Sequence, residues 1–151
     1  VRTYFTPYHE ALAAEVERVR ARHGHAVLLD GHSIRAQVPR FFAGRLSDLN
    51  LGTADGASAD PALERIASGI LAASTPFTSV VNGRFKGGWI TRRYGRPGAG
   101  VHALQLEMAQ AAYMDEAPPY RWDAQRAAPL SAVLQRLVGA LAAWRPGRGA
   151  A

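Results

Sequence analysis

Residues 26–33, AVLLDGHS, constrain the fold of this chain more than any other stretch. Four consecutive apolar residues, set off by Gly24 before them and Asp30–Gly31 after them, are too few for a buried helix and read as a buried strand over 26–31. Short, continuously apolar strands belong to α/β sheets, where ligands collect beyond the carboxyl ends of the strands. His32 and Ser33 stand at that end. A histidine there can bind a metal or transfer protons, and can equally rest against a loop carbonyl. Asp30 shares the strand parity of His32, so it either orients that imidazole or serves structurally.

The flanking segments support the α/β reading. Thr6 reads as an N-cap with Pro7 at the first helical position, and Tyr8, Leu12, Val16 and Val19 follow at helical spacing. Gly24 ends this helix, expected over 7–23, and a very short link leads into the strand. That order is the second half of a βαβ unit, whose first strand would lie before Val1. His9 and His23 are expected on the helix surface without a chemical role.

Further along, 33–45 reads as a loop bearing Arg35, Arg40 and Arg45, and 48–53 as a short strand. Asp60 and Pro61 open a helix over 61–74, with Leu63, Ile66, Ile70 and Leu71 as its apolar stripe. Residues 78–82 and 89–94 read as strands either side of GRFKGG (83–88), a basic glycine-rich loop without the spacing of a nucleotide-binding loop. VHALQLEM (101–108) is a strand whose period of two puts Val101, Ala103, Gln105 and Glu107 on one face and His102 on the other. A carboxylate on a mostly apolar strand is costly unless paired, hydrated or bound to a metal, so Glu107 stands out; a salt bridge to one of the many arginines would serve equally. A helical turn follows over 109–114, and Asp123 caps a brief helical start. Pro129 opens or kinks the last helix over 129–144, and residues from Pro146 read as a frayed tail.

Composition narrows the functional classes. The 151 residues suit one domain. No apolar run approaches the roughly 18 residues of a membrane span, and no secretory leader pattern is present, so a cytoplasmic protein without membrane contact is expected. Zero cysteines leave His, Asp and Glu as the metal ligands. The charge of +6 comes from scattered arginines, with Lys86 the one lysine, rather than from a basic stripe with interleaved aromatics. Nucleic acid is therefore not the expected partner, whereas a small anionic substrate is.

Taken together, TPYH (6–9), DGHSIR (30–35), GRLSDLNLGTADGAS (44–58), NGRFKGGWITRRYGRP (82–97) and VHALQLEMAQAAYMDE (101–116) resemble N-formylglutamate deformylase, also called N-formylglutamate amidohydrolase. The resemblance covers nearly the whole chain. It implies the C-terminal part of one longer domain, incomplete at its N-terminus, and a zinc-carboxypeptidase-like (phosphorylase/hydrolase-like) α/β fold with a mixed sheet flanked by helices. It further implies one zinc ion at the strand ends, with His32 as a ligand and Glu107 as the carboxylate that activates water. The other His and the acidic ligand of such enzymes have no counterpart here. Gly31 stands where the family pattern leads to Ala, and Arg93 where it leads to His.

The implied reaction is hydrolysis of N-formyl-L-glutamate to glutamate and formate, a step of histidine degradation. Its dianionic substrate calls for cationic anchors. Arg84 and Arg92 are the first choices, with Lys86 and Arg35 beside them. With one ligand of the metal set present, activity is expected to be impaired or absent unless a missing N-terminal half or self-association completes the site. Two other readings stand beside this one: a different zinc acyl-amino-acid amidohydrolase, and a non-catalytic remnant that needs a partner chain.

Overall fold

The structure is a computed structural model that describes residues 1–147; positions 148–151 of the expected tail lie outside the described residues. Its elements in chain order are α1 (Phe5–His23), β1 (Ala26–Ile34), β2 (Leu49–Gly52), α2 (Pro61–Ala72), β3 (Ser79–Val81), α3 (Trp89–Tyr94), β4 (Val101–Ala109) and α4 (Ala124–Ala143). The sheet order is β1-β4-β2-β3. β1 pairs parallel with β4, β2 parallel with β3, and β2 antiparallel with β4, so the sheet is mixed.

Helices cover both faces, as burial on both sides of β4 requires. Leu104 and Leu106 of β4 and Leu49 and Leu51 of β2 meet α2 and α4 through Leu63, Ala67, Leu71, Val133 and Leu137. On the opposite face, Val16 of α1 packs on Ala26 and Val101. α3 lies on this second face, because Tyr94 hydrogen-bonds His9 of α1 and the Gly88 N–H donates to the side chain of Gln105 at 2.6 Å. No described helix is long and apolar enough to cross a membrane.

Several local expectations change. α1 begins at Phe5, two residues before the expected start, because the Tyr8 N–H already reaches the Tyr4 carbonyl at 3.1 Å. Thr6 therefore sits inside the helix, and Pro7 falls in the first turn, where an N–H has no helical partner in any case. Gly24 does end the helix, at φ 77°, a left-handed conformation that suits glycine. β1 runs on through the Asp30–Gly31 pair to Ile34, since its ladder with β4 continues to Ile34↔Ala109. His32 and Ser33 are thus strand residues near its end rather than loop residues beyond it. Asp60 caps α2 as expected, its side chain accepting from the Ala62 N–H at 2.7 Å. The buried stripe of α2 runs through Ala67 rather than Ile66, which is exposed.

The segment 89–94 is a helix, not a strand. In six residues the two periods are hard to separate, and here Thr91 and Tyr94 are buried at a spacing of three. α4 starts at Ala124, well before Pro129, because the Asp123 carboxylate accepts the N–H groups of Gln125 and Arg126, both at 3.0 Å.

Candidate active site

The long-range pairing of β1 with β4 assembles the site. His32 stands directly opposite Glu107, and Asp30 directly opposite Gln105. From the other side of β4, Asn50 faces Glu107 and Gly52 faces Gln105. Residues opposite one another project to one face, so all six belong to the face covered by α1 and α3, at the carboxyl ends of β1 and β4. Gln105, Asn50 and Gly52 had no expected role. Gln105 was legible as a face-mate of Glu107, but the other two reach the site only through pairing between distant segments.

The imidazole of His32 is about half exposed, and its Nε2 lies 2.9 Å from Asp30 Oδ1. Asp30 thus sits beside the ring, as their shared parity leads one to expect. Glu107 is only 7% exposed. Burial pushes its carboxyl above the ordinary value; nearby His32 opposes that shift and nearby Asp30 adds to it. A carboxyl raised in this way is better matched to taking and returning a proton near neutrality. Beside it, Asn50 donates to the Ser47 and Glu107 carbonyls at 2.8 and 3.1 Å, while its buried Oδ1 has no partner among the described residues.

Among the described residues, no three His, Asp or Glu side chains stand together as a metal-binding group. His32 fits one position of such a set, and the chain's described donors do not close it.

Of the expected cationic anchors, Arg35, Arg84 and Lys86 lie on loops, whereas Arg92 lies in α3 rather than on a loop. The backbone of 85–87 crosses β2 at Gly52, and the Ala54 N–H donates to the Lys86 carbonyl at 2.6 Å. Asn82 fixes the start of that loop: its Oδ1 accepts from the Thr53 N–H and its Nδ2 donates to Thr53 Oγ1, both at 2.8 Å. Arg84 lies with its guanidinium over the Phe42 ring, 4.7 Å from the centroid. Lys86 turns to Asp55 at 3.0 Å, and Arg92 donates to the Gly87 carbonyl. Arg35 is exposed just after β1.

His102 lies away from the site, as its strand parity indicated. It is buried on the α2/α4 face, with Nδ1 accepting from the Asp60 N–H at 3.1 Å and the ring edge-on to Trp144 at 4.7 Å. Burial lowers its pKa; Asp60 opposes the shift and His25 adds to it. The folded state therefore favours neutral His102. That contribution is complete above the unfolded value of about 6.5 and is lost as pH falls from there toward the depressed folded value. Melting measured between pH 7.5 and 5.5 should show falling stability, with this one proton accounting for at most about 1.4 kcal/mol per pH unit. His102→Asn, which keeps an acceptor for Asp60, should flatten the slope although its overall stability is lower. An unchanged slope would remove His102 as the group responsible.

Comparison with known proteins agrees with this architecture. Residues 1–114 match the family described as N-formylglutamate amidohydrolase. An N-formylglutamate deformylase of Pseudomonas aeruginosa is 51% identical over 140 residues, which cover 93% of this chain and 53% of the relative. The N-formylglutamate deformylase of Pseudomonas putida is 49% identical over 138 residues, covering 91% and 52%. The crystal structure of an N-formylglutamate amidohydrolase from Ralstonia eutropha aligns with a TM-score of 0.80 at 26% identity, over 93% of this chain and 52% of that one. The chain spans about half the length of the relatives it matches.

Proposed function

The chain belongs to the N-formylglutamate amidohydrolase family, and from that premise we propose that it supplies the proton-transfer half of a site that hydrolyses N-formyl-L-glutamate to glutamate and formate. The observation that carries the reading is the pairing of His32 with Glu107 across β1 and β4, on one face, with the carboxyl buried and the imidazole accessible. Glu107 takes a proton from the attacking water as its oxygen bonds to the formyl carbon. When the carbon–nitrogen bond breaks, the same carboxyl returns that proton to the departing amine. Asp30 holds the His32 ring in place throughout.

His32 would provide one ligand to a zinc ion, which when bound polarises the formyl oxygen and makes its water acidic enough to ionise near pH 7. The remaining ligands come from outside the described residues. β1 is an outer strand of the described sheet, and its Val27 and Leu29 are only partly buried. Its free edge is where the rest of a family-length protein, or a second copy, would add. On this reading the fold is zinc-carboxypeptidase-like, and the setting is cytoplasmic histidine degradation. Arg84 and Arg92 are the preferred anchors for the substrate carboxylates, since neither is engaged by an acidic side chain among the described residues. Arg35 and Lys86 provide positive charge at the rim.

The test is reconstitution. The chain is mixed with the remaining part of the P. aeruginosa deformylase and zinc, and formate release from N-formylglutamate is compared with hydrolysis of N-acetyl- and N-succinylglutamate. Preferential release of formate supports the reading; preference for another acyl group assigns a different acyl-amino-acid hydrolase, and no hydrolysis by a properly assembled complex leaves a non-catalytic module. In the same complex, His32→Ala should retain less than about a tenth of the zinc, because a structurally oriented ligand is lost. Full zinc content in that variant would remove His32 from the metal set.

A further inference from the structure

We infer that Glu116 is a positioning residue that clasps the functional end of the sheet, an inference that rests on the reading of His32 and Glu107 given above. The β1–β4 ladder stops at Ile34↔Ala109, two rungs beyond His32↔Glu107. Past that point nothing in the ladder holds the two segments together, and rungs at a strand end open readily. A single oxygen of Glu116, Oε1, accepts the N–H of Ala36 at 2.5 Å and the N–H of Ala111 at 3.0 Å. Ala36 lies four residues after His32, and Ala111 four residues after Glu107. One carboxylate therefore joins equivalent points downstream of both functional side chains.

The clasp satisfies a real need. Ala36 is fully buried, so its N–H would be an orphan donor without Glu116. The Glu116 segment is itself fixed: Arg126 pairs with neighbouring Asp115 and donates to the Met114 carbonyl at 3.1 Å. Ser33 and Tyr113 add a second link between the same two segments at 2.7 Å.

The effect reaches the substrate side as well. Ala36 closes the 36–46 loop by accepting the Leu46 N–H at 2.8 Å. That loop carries Phe42, whose ring supports the Arg84 guanidinium. Releasing Ala36 should therefore disturb the facing of His32 and Glu107 and also the seat of Arg84.

The experiment compares Glu116→Ala with Glu116→Gln, whose amide oxygen can accept the same two N–H groups. Amide hydrogen exchange in the chain should speed up for residues 32–36 and 107–111 in Glu116→Ala, remain unchanged for 26–30, and return to the original rate in Glu116→Gln. In the reconstituted complex, Glu116→Ala should lower kcat and raise KM together, for a loss of about 10- to 100-fold in kcat/KM, as removal of an orienting partner typically does. Glu116→Gln should restore both parameters. Unchanged exchange in Glu116→Ala, or equal loss in the two variants, overturns the clasp. A complex that never hydrolyses N-formylglutamate would instead defeat the functional reading, and the exchange measurement would still decide whether the clasp exists.

Discussion

Glu107→Gln is expected to lower formate release by about a hundred- to ten-thousand-fold in the reconstituted complex while zinc remains bound, the range that a positioned general base contributes. The amide matches the carboxyl in size, so the packing between β4 and its neighbours is preserved. It cannot accept a proton from water and pass it to an amine. The substitution is also mild for the fold, because the site already opposes the charged carboxylate: burial and Asp30 both raise the Glu107 pKa. Removing a charge that the surroundings disfavour should leave the melting temperature unchanged or slightly higher. Loss of turnover with retained zinc and retained stability would isolate the proton-transfer role. Turnover near the original rate would transfer that role to another group, and the pairing of His32 with Glu107 would then be only architectural.

That pairing marks the limit of what the chain discloses before it folds. The period of two in 101–108 separated Glu107 from His102, and the structure keeps them on opposite faces, one at the strand end and one in the core. Period alone did not say which face was which, because Val101 to Glu107 are all buried in a central strand. Asp30 and His32 were legible as a pair, being two residues apart on one strand. The facing of His32 and Glu107 is set by register between segments about 75 residues apart, and no local pattern encodes register. Residues 89–94 differ from their expected strand form for a related reason: Gln105 holds Gly88 at the start of the helix and Tyr94 reaches α1, both tertiary contacts that no local pattern encodes. Glu116 lay within a recognisable motif, yet its two backbone partners come from different parts of the chain.

Gly52→Ala should be among the most damaging single-methyl changes available in this chain. A Cβ at Gly52 would lie 2.4 Å from the Gly87 nitrogen and 2.6 Å from the Lys86 carbonyl carbon. Both neighbours are backbone, so no side chain can rotate away. β2 cannot retreat easily either, being held between β4 and β3 and buried along its whole length. Overpacking of this kind costs typically up to about 3 kcal/mol, which corresponds to a fall of roughly 10 °C in Tm for a chain of this size. If the strain is relieved instead by lifting the 85–87 backbone off β2, stability recovers but the Ala54–Lys86 hydrogen bond breaks and Arg84 loses its position. In that case the affinity of the reconstituted complex for N-formylglutamate, the proposed substrate, should drop while the melting curve changes little. Gly31→Ala is the control, because a Cβ there meets nothing within 4 Å and should shift stability by no more than about 0.5 kcal/mol. If Gly52→Ala matched that control in both melting and substrate affinity, the basic loop would not be seated on β2, and the proposed role of Arg84 as an anchor would fall with it.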